Sequence, residues 1–438
     1  MSLQSSIKNN YFQSYAYSYP HKSAYRLLEK PRNLQDVWNE ESKKNLFLYL
    51  HIPFCETRCG FCNLFTLANP NTKLQESFLD TLTRQVTSVQ ESLGKASFAE
   101  MAIGGGTPTF LTTKEIQGIF SLLKGSMQVN LTKMYSSIEA SPATLSEEKL
   151  ALLKEQGITR VSIGVQSFLA AETKALGRPQ NLQVVHQALE QIKNSGIPEL
   201  NIDLIYGMDA QTKESWLYSL QQCLNYLPEE VFLYPLYVRP LTGLGLRAKD
   251  WNDHRLHLYR QGRDFLLQNG YEQISMRLFR RNNAPIPVTS AYNRCEDGML
   301  GLGVGARSYT QSFHYSSEYA VSRKGSKGVI QDYVENNSLD FAKVYYGVDL
   351  STDEQRRRYV IKSLLEGRFL DLDAYETFFG SKVFADLPQL YELYDMQLLI
   401  ENNNILRLNQ KGLELSDVIG PWLYSPQIKD LMEKFALV

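Results

Sequence analysis

Three of the five cysteines in this 438-residue chain, Cys55, Cys59 and Cys62, fall within eight residues. They close the run Tyr49-Leu-His51-Ile-Pro53-Phe-Cys55-Glu-Thr-Arg-Cys59-Gly60-Phe61-Cys62. Thiolates this close in sequence can wrap one metal centre, and Pro53 and Gly60 leave the backbone free to curl around it. Three readings stand. A structural zinc site asks for four ligands, and the fourth is not obvious: His51 could serve, but it lies inside a strand-like run. Buried thiols without a metal are the second reading. The third is a four-iron–four-sulfur cluster held by three thiolates, which leaves one iron open to chelate a small molecule; the ligand count favours it.

Other segments place polar or flexible residues where apolar strands end. Ile103-Gly104-Gly105-Gly106-Thr107-Pro108 offers unhindered backbone groups to a ligand or makes an ordinary turn. No Gly-Lys-Ser/Thr follows, so it is not a Walker loop. Glu139 (in Ser-Ile-Glu-Ala-Ser-Pro) and Asp203 (in Asn-Ile-Asp-Leu-Ile205-Tyr-Gly) put carboxylates into otherwise apolar runs, which is costly unless a partner or ligand compensates. Gln166 closes Gly-Val-Gln-Ser-Phe, and Arg178 sits in Gly-Arg-Pro-Gln. Gly301-Leu-Gly303-Val-Gly305-Ala-Arg307 has the glycine spacing of a dinucleotide fingerprint but lacks its strand and helix context. Cys223 falls on an apolar helix face and reads as core. Cys295 reads as a buried thiol, with a substrate-facing position as the alternative.

The elements that must carry these residues alternate regularly. Strand-like runs at about 46–52, 98–104, 134–140, 160–166, 200–206 and 230–237 are separated by helix-period segments at 72–93, 113–123, 146–155, 182–194 and 213–226. The rhythm predicts a parallel sheet with helices outside and right-handed crossovers. Too few units for a closed eight-fold barrel give an α/β fold, a partial (β/α)6 TIM-type barrel, whose reactive groups belong at the carboxyl ends of the strands. After about residue 240 the rhythm changes. A helix is expected over 250–269, a strand over 271–279, a Gly-rich strand-loop over 300–310 and a helix over 353–365. Short helices at 373–379 and 387–394 then precede a hairpin over 398–408 with an Asn-rich turn. The expected organisation is a leader packing on the barrel (1–45), the barrel (46–240), a region at its mouth (241–350), and a smaller α+β part containing a winged-helix-like module (351–438).

Composition narrows the function further. The formal net charge is -1 from 46 basic and 47 acidic side chains. With no basic stripe on the C-terminal module, this argues against nucleic acid as a partner. No apolar run reaches membrane-spanning length, and the amino-terminal segment lacks the pattern of a secretory signal. Five cysteines in such a length exclude a disulfide scaffold and point to a reducing, cytoplasmic setting.

Cys55-x3-Cys59-x-Phe61-Cys62 resembles the cysteine motif of radical S-adenosylmethionine (radical SAM) enzymes. The preceding Tyr49-x-His51-Ile-Pro53-Phe narrows the resemblance to the group around oxygen-independent coproporphyrinogen III dehydrogenase. That group also includes haem chaperones, C-methylating haem-degrading enzymes and cyclopropane-forming methyl transferases. The resemblance implies a [4Fe-4S] cluster on Cys55, Cys59 and Cys62 and one SAM, with room for a second. By position it implies that Gly105, Gly106 and Thr107 hold the methionine amino group. Glu139, Gln166 and Asp203 would contact that amino group or the ribose, and Arg178 would pair with the SAM carboxylate. Phe61 and Ile205 would flank the adenine, Tyr49 would sit beside the cluster, and the 301–308 segment would pack at the cofactor mouth. Tyr49 and Glu139 are the candidate catalytic residues. The implied chemistry is reductive SAM cleavage to a 5′-deoxyadenosyl radical that abstracts hydrogen from an organic small molecule, ending in oxidative decarboxylation, C-methylation or cyclopropanation. A donor such as flavodoxin or ferredoxin and a monomeric state go with it. Two departures stand out. Leu64 occupies the position of the dehydrogenases' fourth cysteine, and Ala291-Tyr-Asn-Arg-Cys295 lacks the His and Trp of the chaperones' haem-binding segment. A haem-carrying protein that retains the cluster is the alternative, and a zinc-structured regulator a third.

Overall fold

The computed structural model describes residues 2–16, 18–246, 253–285, 290–336, 340–366 and 369–435. Its centre is a 13-stranded mixed sheet. In chain order the strands are β1 (Arg26–Asn33), β2 (Leu46–Ile52), β3 (Phe98–Gly105), β4 (Tyr135–Ala140), β5 (Arg160–Gln166), β6 (Glu199–Tyr206) and β7 (Glu230–Pro235). They continue with β8 (Tyr271–Gln273), β9 (Leu278–Arg281), β10 (Met299–Leu302), β11 (Arg307–Tyr309), β12 (Phe313–Ser316) and β13 (Lys343–Asp349). The sheet order is β1-β13-β12-β11-β10-β2-β3-β4-β5-β6-β7-β9-β8. Strands β2 to β7 are neighbours in sequence order and all parallel, as the alternating rhythm predicts. Antiparallel strands extend the β7 side, and β10 joins β2 in parallel on the other. This is the α/β partial barrel expected, an open sheet lengthened at both flanks.

Helices α1 (Thr72–Leu93), α2 (Thr113–Met127), α3 (Glu147–Gln156), α4 (Leu182–Ser195) and α5 (Lys213–Leu224) follow β2 to β6. Their starts are written in capping residues. Asn71, Ser146 and Asn181 accept from backbone N–H groups of the first turn, and Thr112 with Glu115 forms a reciprocal capping box. Apolar faces from these helices and the strands make one core, which also takes in Phe12, Leu34 and Trp38 from the amino-terminal segment.

Three expectations are corrected. The strand expected over 271–279 is a hairpin of β8 and β9, because Ile274 to Arg277 turn back, with Ile274 and Ser275 N–H both reaching the Leu278 carbonyl. The leader holds a helix, Leu3–Asn9, and the edge strand β1 paired with β13, neither of which was specified from sequence. A helix over Arg323–Glu335 and strands β12 and β13 complete a region where only a Gly-rich strand-loop was expected. The helix expected to begin at Asp250 runs over Arg255–Gln268, and Asp250 lies outside the described residues.

The carboxyl-terminal part has its own core, centred on Tyr359, Tyr375, Leu393, Val418 and Leu423 and joined by Leu3, Ala16 and Tyr19 of the leader. A helix over Thr352–Leu365 leads into strand β14 (Leu370–Asp371), short helices, and the hairpin β15 (Leu399–Asn402) and β16 (Ile405–Leu408). The sheet order β14-β16-β15 gives the winged-helix-like arrangement.

Candidate active site

Strand β2 delivers the chain to the carboxyl edge of the sheet at Ile52, and the cysteine loop begins three residues later. The loop is fastened on every side by backbone hydrogen bonds. Gly106 N–H donates to the Ile52 carbonyl (2.7 Å) and Thr107 N–H to the Phe54 carbonyl (2.8 Å), tying it to the glycine-rich turn after β3. Gly60 N–H donates to the Leu176 carbonyl (2.9 Å), and its own carbonyl accepts from Leu244 N–H (2.7 Å). The contact with the turn is too close for a side chain: a Cβ on Gly106 would lie 2.5 Å from the Phe54 carbonyl oxygen and 2.9 Å from Cys55 Sγ. Gly105 has φ +112°, a conformation L side chains rarely adopt, and a Cβ there would meet the His51 ring at 2.6 Å.

The three thiols are free and partly buried. Thr107 Oγ1 approaches Cys55 Sγ at 3.7 Å, an Arg178 guanidinium N–H lies 3.5 Å from Cys59 Sγ, and Thr66 Oγ1 lies 3.8 Å from Cys62 Sγ. Burial pushes the Cys55 thiol up to about 12, and the charges of Cys62 and Cys59 add to it. Burial also raises Cys62, with Cys59 next. Two buried thiols raised by their surroundings and by neighbouring thiol charge are a setting that a cationic centre would relieve. Among the described residues no three ligating side chains gather closely enough for a single metal ion; three thiols is the number that a [4Fe-4S] cluster with one open iron takes. His51 is not a fourth ligand. Its ring nitrogens face the Tyr49 hydroxyl (3.3 Å) and the Phe65 carbonyl (2.9 Å), and burial, then Lys22, pulls its pKa down to about 3. Tyr49 therefore packs edge-on against His51, next to the loop.

Two carboxylates face each other across the inside of the sheet. Glu139, at the end of β4, accepts from Gly105 N–H (3.1 Å), and a Cβ on Gly104 would lie 2.9 Å from its carboxyl. Surrounding protein, then Asp203, raises its pKa to about 7. Its open surface is on the cavity it lines, together with Ser137, Arg160, Ser162, Asn201, Asp203 and Tyr234. Burial raises Asp203 to about 6 against two opposing hydrogen bonds, from Asn201 Nδ2 (2.7 Å) and Ser162 Oγ (3.4 Å). Two acids held partly protonated in one cavity are an arrangement that a cationic ligand would relieve.

Arg178 donates to the Gly164 carbonyl at the end of β5 (2.8 Å) while its other arm points at Cys59. Gln166 closes β5 with φ +68°, a strained position for a side-chain-bearing residue, and a Cβ on Gly164 would lie 2.7 Å from its amide nitrogen. Phe61 and Ile205 lie in one small apolar cluster with Leu176, Met208, Leu236 and Leu244. The segment after β10 also reaches the mouth: a Cβ on Gly305 would lie 2.5 Å from the Phe65 ring and 3.0 Å from His51 Nε2. Thus residues separated by up to about 250 positions meet around one loop.

Some participants carried no sequence signal that was read. Asn201 donates to both Ser162 Oγ and Asp203 (2.7 Å each), and its own Oδ1 is buried without a partner. Its position two residues before Asp203, on the same face of β6, was the available clue. Cys295 does not face the mouth. Its sulfur lies 3.4 Å from Ser363 Oγ and packs on the carboxyl-terminal core. Cys223 is fully buried, as expected.

The model of the radical SAM superfamily matches residues 49–223. The oxygen-independent coproporphyrinogen III oxidase of Salmonella typhimurium is 27% identical, covering 92% of this chain and 90% of its own. The heme chaperone HemW of Lactococcus lactis is 23% identical over 84% of this chain and 94% of its own. Among solved structures, coproporphyrinogen III oxidase (HemN) from Escherichia coli matches with a TM-score of 0.76 at 23% identity, over 96% of this chain and 98% of that one, which shows a shared fold. Residues 49–223 thus match the radical SAM superfamily, and over most of its length the chain is related to oxygen-independent coproporphyrinogen III oxidase.

Proposed function

We propose that Cys55, Cys59 and Cys62 hold a [4Fe-4S] cluster and that the turn Gly105-Gly106-Thr107, with Glu139, Gln166, Arg178 and Asp203, clamps SAM against it. The observation that carries the reading is the clasp between the cysteine loop and the glycine turn, closed at Gly106, with two under-ionised carboxylates beside it. When bound, cluster and SAM supply one-electron reduction and hydrogen-atom abstraction from the substrate. The chain's own residues bind, orient and exclude. Glu139 offers a carboxylate oxygen to an ammonium group while its other contact, Gly105 N–H, fixes its direction. Asp203, steadied by Asn201 and Ser162, faces the same cavity and suits a pair of ribose hydroxyls. Arg178, anchored on the Gly164 carbonyl, is placed to meet a carboxylate next to Cys59. Phe61 and Ile205 form an apolar wall suited to a nucleobase face. Tyr49 supports His51, and His51 braces the loop.

In this reading residues 46–240 hold the cofactors, 1–45 and 241–350 build the mouth, and 351–438 is a supporting module. The substrate is an organic small molecule and the electron donor a protein such as flavodoxin or ferredoxin, acting on a monomer in the cytoplasm. The reaction is oxidative decarboxylation of a porphyrinogen-type substrate, or C-methylation or cyclopropanation with a second SAM. A haem carrier is the second reading, favoured by the HemW relative. Against it, two residues of the 291–295 segment are turned inward: Tyr292 is buried against Phe47 and Cys295 packs against Ser363. Anaerobic incubation of the reconstituted protein with methyl-labelled SAM, reductant and a metabolite extract separates these readings. Substrate-dependent transfer of label, or unlabelled product with consumed SAM, supports an enzyme and tells methylation from dehydrogenation. Stoichiometric haem binding without SAM consumption sinks it.

A further inference from the structure

We propose that Lys22 and Arg307 form an anion-binding subsite at the mouth of the barrel that takes a carboxylate or phosphate group of the substrate; this rests on the cofactor reading above. The leader crosses the mouth in a short 3-10 turn, Lys22–Ala24, introduced by His21. Lys22 is only 7% exposed, and its ammonium donates to the Gly305 carbonyl. An ammonium has three donors, and among the described residues no carboxylate pairs with this one. With the Gly305 carbonyl and, 5.9 Å away, the Tyr319 ring as its neighbours, burial and then Arg307 drive this ammonium towards the neutral amine unless an anion joins it.

The surroundings deepen the need. Arg307, two residues after Gly305, donates to Ser18 Oγ (2.5 Å), and Arg239 donates to the Gln13 carbonyl (2.9 Å). Three cationic side chains from three segments thus converge on the leader. Their joint field shows at His21, whose pKa burial lowers to about 3 with Arg307, Lys22 and Arg239 all contributing. The position is also telling. Gly305, which receives the Lys22 ammonium, packs on His51, and His51 packs on Gly105. An anion held by Lys22 therefore lies beside the cofactor site. Arg178, on the Cys59 side, is already placed for the cofactor's own carboxylate, so the Lys22 charge is surplus to SAM.

The test uses the full chain with its cluster reconstituted anaerobically. Succinate and inorganic phosphate are titrated separately at constant ionic strength in chloride, with and without saturating S-adenosylhomocysteine, following intrinsic fluorescence and thermal midpoint. The expected result is saturable binding of at least one of the two anions, the stronger naming the substrate's group. Affinity should fall about tenfold or more in Lys22→Met and in Arg307→Leu, as expected for loss of a charge-assisted hydrogen bond. It should be restored in Lys22→Arg and unchanged in Lys30→Met on the exposed edge strand. If one variant misfolds by circular dichroism, the other decides. The proposal is overturned if neither anion binds beyond the chloride control, if binding survives both substitutions, or if S-adenosylhomocysteine competes, which would give the pair to the cofactor. Protein that binds S-adenosylhomocysteine but neither anion overturns this inference alone; protein that binds no S-adenosylhomocysteine points to failure of the cofactor reading.

Discussion

Glu139 is the residue on which pH should act first. Its folded-state pKa of about 7 lies above the ordinary carboxylate value because of burial and the Asp203 charge. The native state therefore holds a proton that the unfolded chain has already lost, so this group's contribution to stability declines as pH rises from about 4.5 towards 7. Ligand binding should run the other way, since an ammonium prefers the ionised carboxylate. We predict that SAM affinity strengthens between pH 6 and pH 7.5 and that Glu139→Gln binds weakly with the pH slope flattened; an unchanged slope measured by calorimetry would remove Glu139 from the site. Asn201→Leu should weaken SAM binding through Asp203 by roughly tenfold, the scale of one lost hydrogen bond to a charged group. A 2′,3′-dideoxyribose analogue should be indifferent to the substitution. Glu139 and Asp203 were legible because a carboxylate in an apolar strand stands out. Asn201 and Lys22 were not: an amide beside a carboxylate looks ordinary, and a lysine in a polar leader gives no hint of burial.

At the scale of elements, the clasp between the cysteine loop and the turn after β3 joins segments some 50 residues apart through Gly106. Its substitution by alanine forces a Cβ to within 2.5 Å of the Phe54 carbonyl and 2.9 Å of Cys55 Sγ. An overpacked position of this kind costs about 1–3 kcal/mol. We expect Gly106→Ala to keep its far-ultraviolet circular dichroism while iron content after reconstitution falls, and full iron loading would show that the clasp is dispensable. Most parallel strands and their helices could be read from period and caps, since each buries one face and starts on a capping side chain. The β8–β9 hairpin could not, because Ile274-Ser-Met-Arg277 has no Gly, Pro or Asn and only Ser275 to mark the turn. β1 was hidden for a related reason: it is an edge strand with most of its side chains exposed, so it shows little apolar alternation.

At the scale of the whole molecule, one buried ion pair joins parts that sequence presents as separate. Arg277, after β8, donates to both carboxylate oxygens of Asp417 in the carboxyl-terminal module (2.6 and 2.7 Å), and Tyr237 also bonds Asp417. The Arg277 guanidinium lies 3.8 Å from the ring centre of Tyr15 in the leader. Removing the cation would leave the buried Asp417 charge with only the Tyr237 hydroxyl, a loss of about 3–5 kcal/mol. Arg277→Met should lower the urea midpoint accordingly, and a wild-type midpoint would mean the module docks by its apolar surface alone. No local pattern announces a pair separated by 140 positions, which is why this assembly emerged only in three dimensions. The central proposal, that the clasped cysteine loop holds a cluster at which SAM, bound by these carboxylates, is cleaved, rests on one measurement: 5′-deoxyadenosine formed from SAM by anaerobically reconstituted protein with dithionite, compared with Cys55→Ala, Cys59→Ala and Cys62→Ala. Formation by the wild type and its loss in each variant is the predicted result. No 5′-deoxyadenosine from iron-loaded wild type, or undiminished formation in the cysteine variants, would contradict the account.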